Sequence, residues 1–520
     1  MGKTSFTFSY SKSTSNRPLI LAAMMLANFM AAVEATIVAT AIPTIVSELG
    51  SFSLYSWVFS AFLLAQGATI PLYGKLSDLY GRKKIFTFGT LLFLLGSILC
   101  GLSNSMYMLI AFRAVQGLGA GAVQPVSQTI IGDIYSLEER ARIQGYLSSV
   151  WGIAAVIGPA IGGIIVQNIS WSWIFYINIP IGIIAVFITS TSLHEDLGRL
   201  KENIQQKVKS SLRGIPDNIS KIKIDYAGSV LMITAISFLL IALLEAGNQW
   251  ALRDLRFIGM IITSIILFII LGIVESKARD PIIPFKLLKT SVIFFPNITS
   301  LIVGVTTISI SSIIPMFAQG VLGESAIAAG FLLAAMSIGW PLASSQSGKL
   351  IIKRGFRFTA ISGALVLILG ASLLLFLNAS SNYYSASVFI FIIGLGLGLT
   401  STTSIVAIQH AVPWSKRGVA TSSNAFMRMI GGAFGAAIFG GLLTDYIKYR
   451  LPQSQKNVDI IKLLLDTSQR KALSPALISE LRNILSDAVH NIYYFLFAIV
   501  IVGLVAAYFI PREIKEEGAL

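Results

Sequence analysis

Cysteine and histidine are almost missing: one Cys and three His stand among 520 residues. The lone thiol, Cys100, lies in an apolar stretch and excludes an intrachain disulfide. So thin a supply of soft ligands also argues against a structural zinc site. Charge is equally sparse. Only 12% of the chain is charged, while 55% is hydrophobic and the mean hydropathy is +0.77. A water-soluble domain does not bury so large an apolar fraction, which leaves an all-α polytopic membrane protein. Enzyme signatures are missing too, with no Walker loop, HExxH helix, nucleophile elbow or metal-ligand spacing. No enzyme activity, metal or organic cofactor is therefore expected, and an ion gradient remains as the source of energy.

What is present is a series of long apolar runs between short basic connectors. A membrane helix needs about 20 mostly apolar residues. By that measure the chain holds about fourteen spans, near 19–46, 55–74, 85–104, 107–133, 142–167, 172–193, 226–247, 255–275, 290–317, 326–348, 358–378, 384–410, 418–446 and 488–510. The net charge of +15 sits in every other connector, as in Lys75 and Arg82–Lys84, Arg140 and Arg142, Lys349–Arg357, and Lys416 and Arg417. That alternation is the positive-inside pattern, not a nucleic-acid-binding face, and it places both termini in the cytoplasm.

The domains follow. Residues 1–18 form a cytoplasmic tail and 19–193 an N-terminal six-helix bundle. Residues 194–225 form a basic cytoplasmic linker, read as a spacer or a surface helix on anionic lipid. Residues 226–275 supply two additional helices, 276–511 a C-terminal six-helix bundle, and 512–520 a second tail. The run from Leu19 is too long for a signal-peptide core and lacks a clear cleavage site. An extracellular loop, 447–487, carries amphipathic stretches at Val458–Leu465 and Pro475–Leu485, separated by a Ser474-Pro475 helix-start signal. It reads either as a surface loop or as a helical hairpin over the outer mouth.

An internal repeat supports two related halves. Shifting the chain by 277 positions lays Gln116–Gly121 on Ile393–Gly398, Arg140 on Arg417 and Gly158 on Gly435. A shift of 274 lays the basic segment Gly74–Lys84 on its echo from Gly348, with Ile352 where Asp78 stands. Paired halves of this kind are the build of many secondary transporters.

The segment Gly74–Lys84, the run Glu34–Pro43, Arg113–Gly121 and the Gly158-Pro159 segment together resemble the motifs of the major facilitator superfamily, specifically its fourteen-helix drug/proton antiporter family. The resemblance implies two pseudo-symmetric six-helix bundles with two intervening helices. It also implies a multidrug efflux function coupled to protons.

Each motif has a chemistry of its own. In Gly74, Asp78, Gly81 and Arg82, the glycines permit tight turns and close approach. Asp78 can accept hydrogen bonds from a helix N-terminus and pair with an Arg, latching one conformation. Glu34 lies mid-span, where an ionised carboxylate needs a partner or water, so it suits reversible protonation; the family more often has Asp there. Arg113 cannot lose its charge, is associated in the family with proton coupling, and has Glu34 as its natural partner. Gly152, Gly158, Pro159, Gly162 and Gly163 match the antiporter motif, or else mark a small-residue packing seam.

A substrate cavity is expected from Gln66, Gln116, Gln124, Met336, Trp340 and Arg428, with Gln116, Gln124 and Gln128 serving either as a polar path or as interhelical glue, and Arg428 contacting either lipid or the gate of the other half. Trp57 and Phe62 are further candidates for contact with a flat apolar ligand. Glu245, Asp445 and Glu275 read as solvated groups at helix ends.

The resulting expectation is an alternating-access exporter of lipophilic, cationic or amphipathic compounds, with protons and the bilayer as its other partners. It is expected to act as a monomer in a bacterial plasma membrane. One mid-membrane acid favours monovalent over divalent cations. Fold and motifs leave open a metabolite, siderophore or lipid as substrate, or passive facilitation.

Overall fold

The computed structural model describes residues 16–51, 54–195, 225–246, 250, 253–278, 281, 285–450 and 475–514. The linker expected at 194–225 lies outside these residues except at its edges, as do the terminal tails for most of their length and the stretch Val458–Leu465.

The described chain is helical, with no β-strand. Helices α1 to α5 are Arg17–Leu49, Tyr55–Tyr80, Arg82–Gly101, Met106–Ile134 and Leu137–Asn168. Helix α6, Trp173–Ser192, is interrupted at Ile177. Helices α7 and α8 are Tyr226–Glu245 and Leu255–Lys277. After a single turn at Phe285–Leu288 comes α9, Ser291–Val321, whose last turn widens to a π-helix after Pro315. The continuous segment Ala326–Leu374 breaks at Gly355, where φ is 85°, into α10 (326–354) and α11 (356–374). Helices α12 to α14 are Tyr383–Ala411, Trp414–Arg450 and Pro475–Tyr508.

Twelve described segments are long and apolar enough to cross a membrane, with the segment that breaks at Gly355 counted as one and α2 not among them. Helix α2 carries Gln66, Lys75 and Asp78 and packs between α4 and α13.

Short polar residues in the connectors start many of these helices by accepting orphan backbone N–H groups. Asn382 does so for α12, Asp225 for α7, Asp254 for α8 and Ser325 for α10. Ser136 and Glu139 form a reciprocal capping box at α5. Glu139 also bonds Arg17 at 2.6 Å, tying the start of α1 to that of α5.

Several helices outrun the apolar spans that announce them. Helix α2 continues through Gly74, Lys75, Ser77 and Asp78 to Tyr80, so most of the expected 74–84 loop is helix and only Gly81 leaves it. A helix satisfies its own backbone and needs apolar residues only where lipid is present. For the same reason Pro475–Leu485 is the first part of α14, not a separate arm of a hairpin.

The two halves meet in a crossed pattern. Helix α2 packs on α13, and α5 on α10, with α4 also touching α13. Exchanging the halves maps the first contact onto the second. At residue level, Gly74 lies against Gly418 while Gly348 lies against Ala141, the positions that the two sequence shifts superimpose. Helix α7 covers the α2–α13 seam through Met232, Ile236 and Leu240, which pack with Ala68, Phe426 and Met429, and α8 packs on α7 from outside. Small residues at these crossings bring backbones close, which is how helices associate where lipid is as apolar as side chains.

Candidate functional site

Glu34 and Arg113 form an ion pair inside the N-terminal half, with side chains 0% and 2% exposed. Helix α1 supplies the acid and α4 the cation. The second carboxylate oxygen of Glu34 accepts a hydrogen bond from Asn178 Nδ2 of α6 at 2.6 Å. Arg113 donates also to Gln116 Oε1 at 2.6 Å and to the Val58 carbonyl of α2 at 3.0 Å. Ser97 of α3 closes the network, accepting from Gln116 at 2.7 Å and from Asn178 at 3.2 Å. The Phe62 ring lies 4.2 Å beneath the guanidinium. A permanent cation and a carboxylate thus sit buried together with most of their bonding capacity used. Loss of either charge would leave the other uncompensated at this buried place.

A second cluster lies at the end of the bundle that carries the basic connectors. Asp78 of α2 accepts hydrogen bonds from the Gly418 and Val419 N–H groups at 2.8 and 2.9 Å, in the first turns of α13. It also pairs with Arg82 at 2.8 Å. Arg82 reaches Asp133 of α4 at 2.9 Å and the Trp414 carbonyl at 2.5 Å, with its guanidinium 3.5 Å over the Trp414 ring. Arg417 completes the square by bonding Asp133 at 2.7 Å. Two acids and two arginines therefore clamp the halves together, with the partial positive charge of a helix N-terminus held by a buried carboxylate. Gly74 matters because a Cβ there would come within 2.8 Å of the Gly418 carbonyl. Gly81 adopts φ 97°, the left-handed region, to turn the chain into α3.

Among the described residues the second copy shows no such clamp. Gly348 touches the start of α5, but Ile352 is 54% exposed and Arg357 bonds the Ile510 carbonyl.

Comparison with known proteins agrees with this architecture. Residues 24–436 match the sequence profile of the Major Facilitator Superfamily. The chain belongs to that superfamily. It is 33% identical over 534 residues to "Multidrug transporter protein MdtP" of Bacillus subtilis (strain 168), covering 97% of this chain and 95% of that one. It is also 33% identical over 499 residues to "Multidrug resistance protein 3" of the same organism, covering 94% and 93%. Among solved structures, the proton:xylose symporter XylE superposes with a TM-score of 0.60 at 12% identity, over 95% of this chain and 96% of that one. That likeness supports the fold. By family the protein is a multi-span membrane transporter and not an enzyme.

Within this superfamily chain, the remaining motif residues fall on α5. Gly158 lies against Thr36 of α1, and a Cβ on Gly162 would come within 2.8 Å of Ile37 Cγ1, so both press α5 onto the helix that carries Glu34. Gly152 faces the other way, against Ser337 of α10. Pro159 is exposed, and Gly163 has nothing within 4 Å of a built Cβ, so it takes no part in the seam.

The residues expected to line a cavity lie in different surroundings in this structure. Gln116 belongs to the buried Arg113 network, and Met336 is 6% exposed within the core of the second half. Trp340 is held by Ser401 at 3.1 Å. Gln66, Gln124 and Arg428 are half-buried. Gln116 thus holds helices together in this structure, one of the two roles expected of it.

Asn178, Ser97 and Asp133 are the residues that sequence reasoning missed. Each is a small polar group in an apolar span, and that was the available signal. Glu195 was missed as well. Its carboxylate accepts from the Arg82 and Lys83 N–H groups at 2.9 and 3.2 Å, capping α3. Burial raises its pKa against the opposing pull of Arg82 and those two N–H groups.

Proposed function

We propose that this protein is a proton-driven antiporter that exports lipophilic, mainly cationic compounds by alternating access. The observation that carries the reading is the buried Glu34–Arg113 pair beside the Gly158/Gly162 crossing of α1 and α5. The relatives named for multidrug transport support the substrate class.

In the proposed cycle all fourteen helices span the membrane, with basic connectors and termini in the cytoplasm and the monomer in a bacterial plasma membrane. The Asp78–Arg82–Asp133–Arg417 clamp then closes the cytoplasmic side. In this state a proton arriving from outside would displace Glu34 from Arg113, and the half would rearrange. When the clamp opens, Glu34 gives its proton to the cytoplasm and its charge favours a cationic substrate. A carboxylate that holds a proton does not also attract a cation, and this competition makes the exchange. The proton gradient replaces any bound cofactor.

The test is a pH-dye assay in inside-out vesicles with an acidified lumen, adding monovalent and divalent lipophilic cations to wild type and Glu34→Gln. Substrate-triggered proton loss in wild type alone is expected. Equal proton loss in both proteins would move the proton site away from Glu34. A tight, folded preparation that never responds would refute drug/proton exchange.

A further inference from the structure

A recess of about 590 Å³ opens at the end of the bundle opposite the clamp, where α9 passes into α10 and α11 into α12. Its size falls among small-molecule sites, which run from about 300 to 1,000 Å³. Hydrogen bonds between fixed elements give it its shape. The Glu324 N–H donates to the Ala318 carbonyl at 2.9 Å, which ties the α9–α10 connector back onto the last turn of α9. The Tyr383 hydroxyl donates to the Ala328 carbonyl at 3.0 Å, joining α12 to α10. Asn378 accepts from the Ser380 N–H and hydroxyl at 2.9 and 2.7 Å, folding the α11–α12 connector.

The lining combines a charge, two helix ends and an apolar wall. Glu324 carries the one full charge among the described lining residues. It is half-buried, and its side chain makes no hydrogen bond or ion pair with a described residue. Arg482 of α14 comes within 2.6 Å of a Cβ built on the adjacent Gly323, but it is neither paired with Glu324 nor part of the lining. Beside the carboxylate, Ser325 and Asn382 cap α10 and α12. A cap leaves other first-turn N–H groups unbonded, so two helix ends bring partial positive charge to the rim of the same space. Ile327 and Phe331 lie one turn apart on α10, and Ile338 and Leu342 continue at helical spacing down the same side; all four are more than half exposed.

No simple ion uses all of this. A hard metal ion needs several converging oxygens, which a single carboxylate does not supply. An anion alone meets Glu324, and a cation alone leaves the two helix ends unanswered. A head group with both an ammonium and a phosphate answers the two polarities, and an acyl chain answers the exposed stripe.

We propose that this recess seats one membrane lipid with a zwitterionic head. The ammonium lies against Glu324, with the exposed ring of Tyr384 beside it, and the phosphate lies against the first turns of α10 and α12. One acyl chain follows Ile327, Phe331, Ile338 and Leu342 along α10. The rim is open to water, so the preference for this head is modest.

The test is photolabelling of purified full-length protein in phosphatidylglycerol nanodiscs, with no ion gradient. Two trace probes of equal chain length carry a diazirine near the glycerol end of one chain. One is a phosphatidylethanolamine and the other a phosphatidylglycerol, and mass spectrometry maps the label. In wild type, labelling at 327–331 by the ethanolamine probe should exceed that by the glycerol probe at least about fivefold, or about 1 kcal/mol. Unlabelled phosphatidylethanolamine should displace it, and decyltrimethylammonium at the same concentration should not. Glu324→Gln should bring the two probes to parity. Equal labelling by both probes in wild type would overturn the proposal. Displacement by decyltrimethylammonium as effective as that by phosphatidylethanolamine would also overturn it, and would assign the recess to a lipophilic cation. An unaltered probe ratio in a Glu324→Gln protein of wild-type melting temperature would overturn it as well. The wild-type comparisons decide the matter even if that variant does not fold. Because no gradient or transport is involved, this result stands apart from the proton-release assay.

Discussion

Replacing Asp78 by Asn removes one charge from the clamp and changes little else. The carboxylate accepts two backbone N–H bonds from α13 and pairs with Arg82, and both members of the pair are at most 3% exposed. An Asn keeps one accepting oxygen but turns an NH₂ towards a backbone N–H. One charge-assisted bond of about 1.5–3 kcal/mol is therefore lost, and a donor is left facing a donor. The full ~3–5 kcal/mol of an orphaned buried charge does not apply, because Arg82 keeps Asp133 at 2.9 Å. The closed arrangement should weaken by about 3 kcal/mol, a population shift of about a hundredfold. Spin labels at Tyr80→Cys and Ser415→Cys, in a Cys100→Ser background, report the clamp distance by pulsed electron resonance. Tyr80 is 46% exposed and Ser415 is exposed, so neither label disturbs packing. Asp78→Asn should add a long-distance population that is minor in the parent. Identical distance distributions would show that Asp78 does not hold this end closed.

Two further substitutions test packing and capping. Gly162→Leu drives a side chain into Ile37 and should cost about 1–3 kcal/mol, read as a lower melting temperature in detergent. Gly163→Ala meets open space and should be neutral or slightly stabilising, so equal damage at both would refute the seam. Glu195 has a raised folded-state pKa, so the folded protein binds the proton more tightly than the unfolded chain. Its contribution then falls as pH rises from the ordinary Glu value of 4.5 towards the raised one. Melting curves of Glu195→Gln across that window should be flatter than those of wild type; a parallel pair of profiles would remove Glu195 as the source.

The path from sequence to this structure was clear where one residue type carries one physical demand. Mid-span Glu34 and Arg113 each require a partner, and an uncharged neighbourhood offered only each other. Gly74 and Gly81 marked a crossing and a turn because no other residue suits both. The boundaries of α2 and α14 were not legible from hydropathy, since polar residues extend a helix freely beyond the lipid. Asp133 and Asn178 were hidden for a different reason. Their roles depend on which helices are neighbours, and neither shows a spacing pattern along its own helix. Glu245 and Glu275 were misjudged as solvated end groups: each is 3% exposed, buried by neighbouring helices that spacing along one helix does not reveal.

The placement of α5 bears most on how the two ends communicate in the proposed cycle. One face of α5 meets α1 at Gly158 and Gly162, one turn from Glu34, where Thr36 also bonds the Ala154 carbonyl at 3.2 Å. Its other face meets α10 at Gly152, and its first turn meets Gly348. Small residues make both crossings close, so α1 cannot shift without moving α5, and α5 cannot tilt without changing its seat on α10. Helix α4 supplies a second link, holding Arg113 near one end and Asp133 near the other. A change in the Glu34–Arg113 pair can thus reach the clamp through a rigid helix and a tight crossing. Neither route requires a substrate to touch Glu34, which fits its complete burial in this state. The two routes are separable: loosening the α5 crossing should leave the clamp intact and still linked to Arg113 through α4, whereas Asp133→Asn should lengthen the distance between labels at 80 and 415 while Glu34 stays paired.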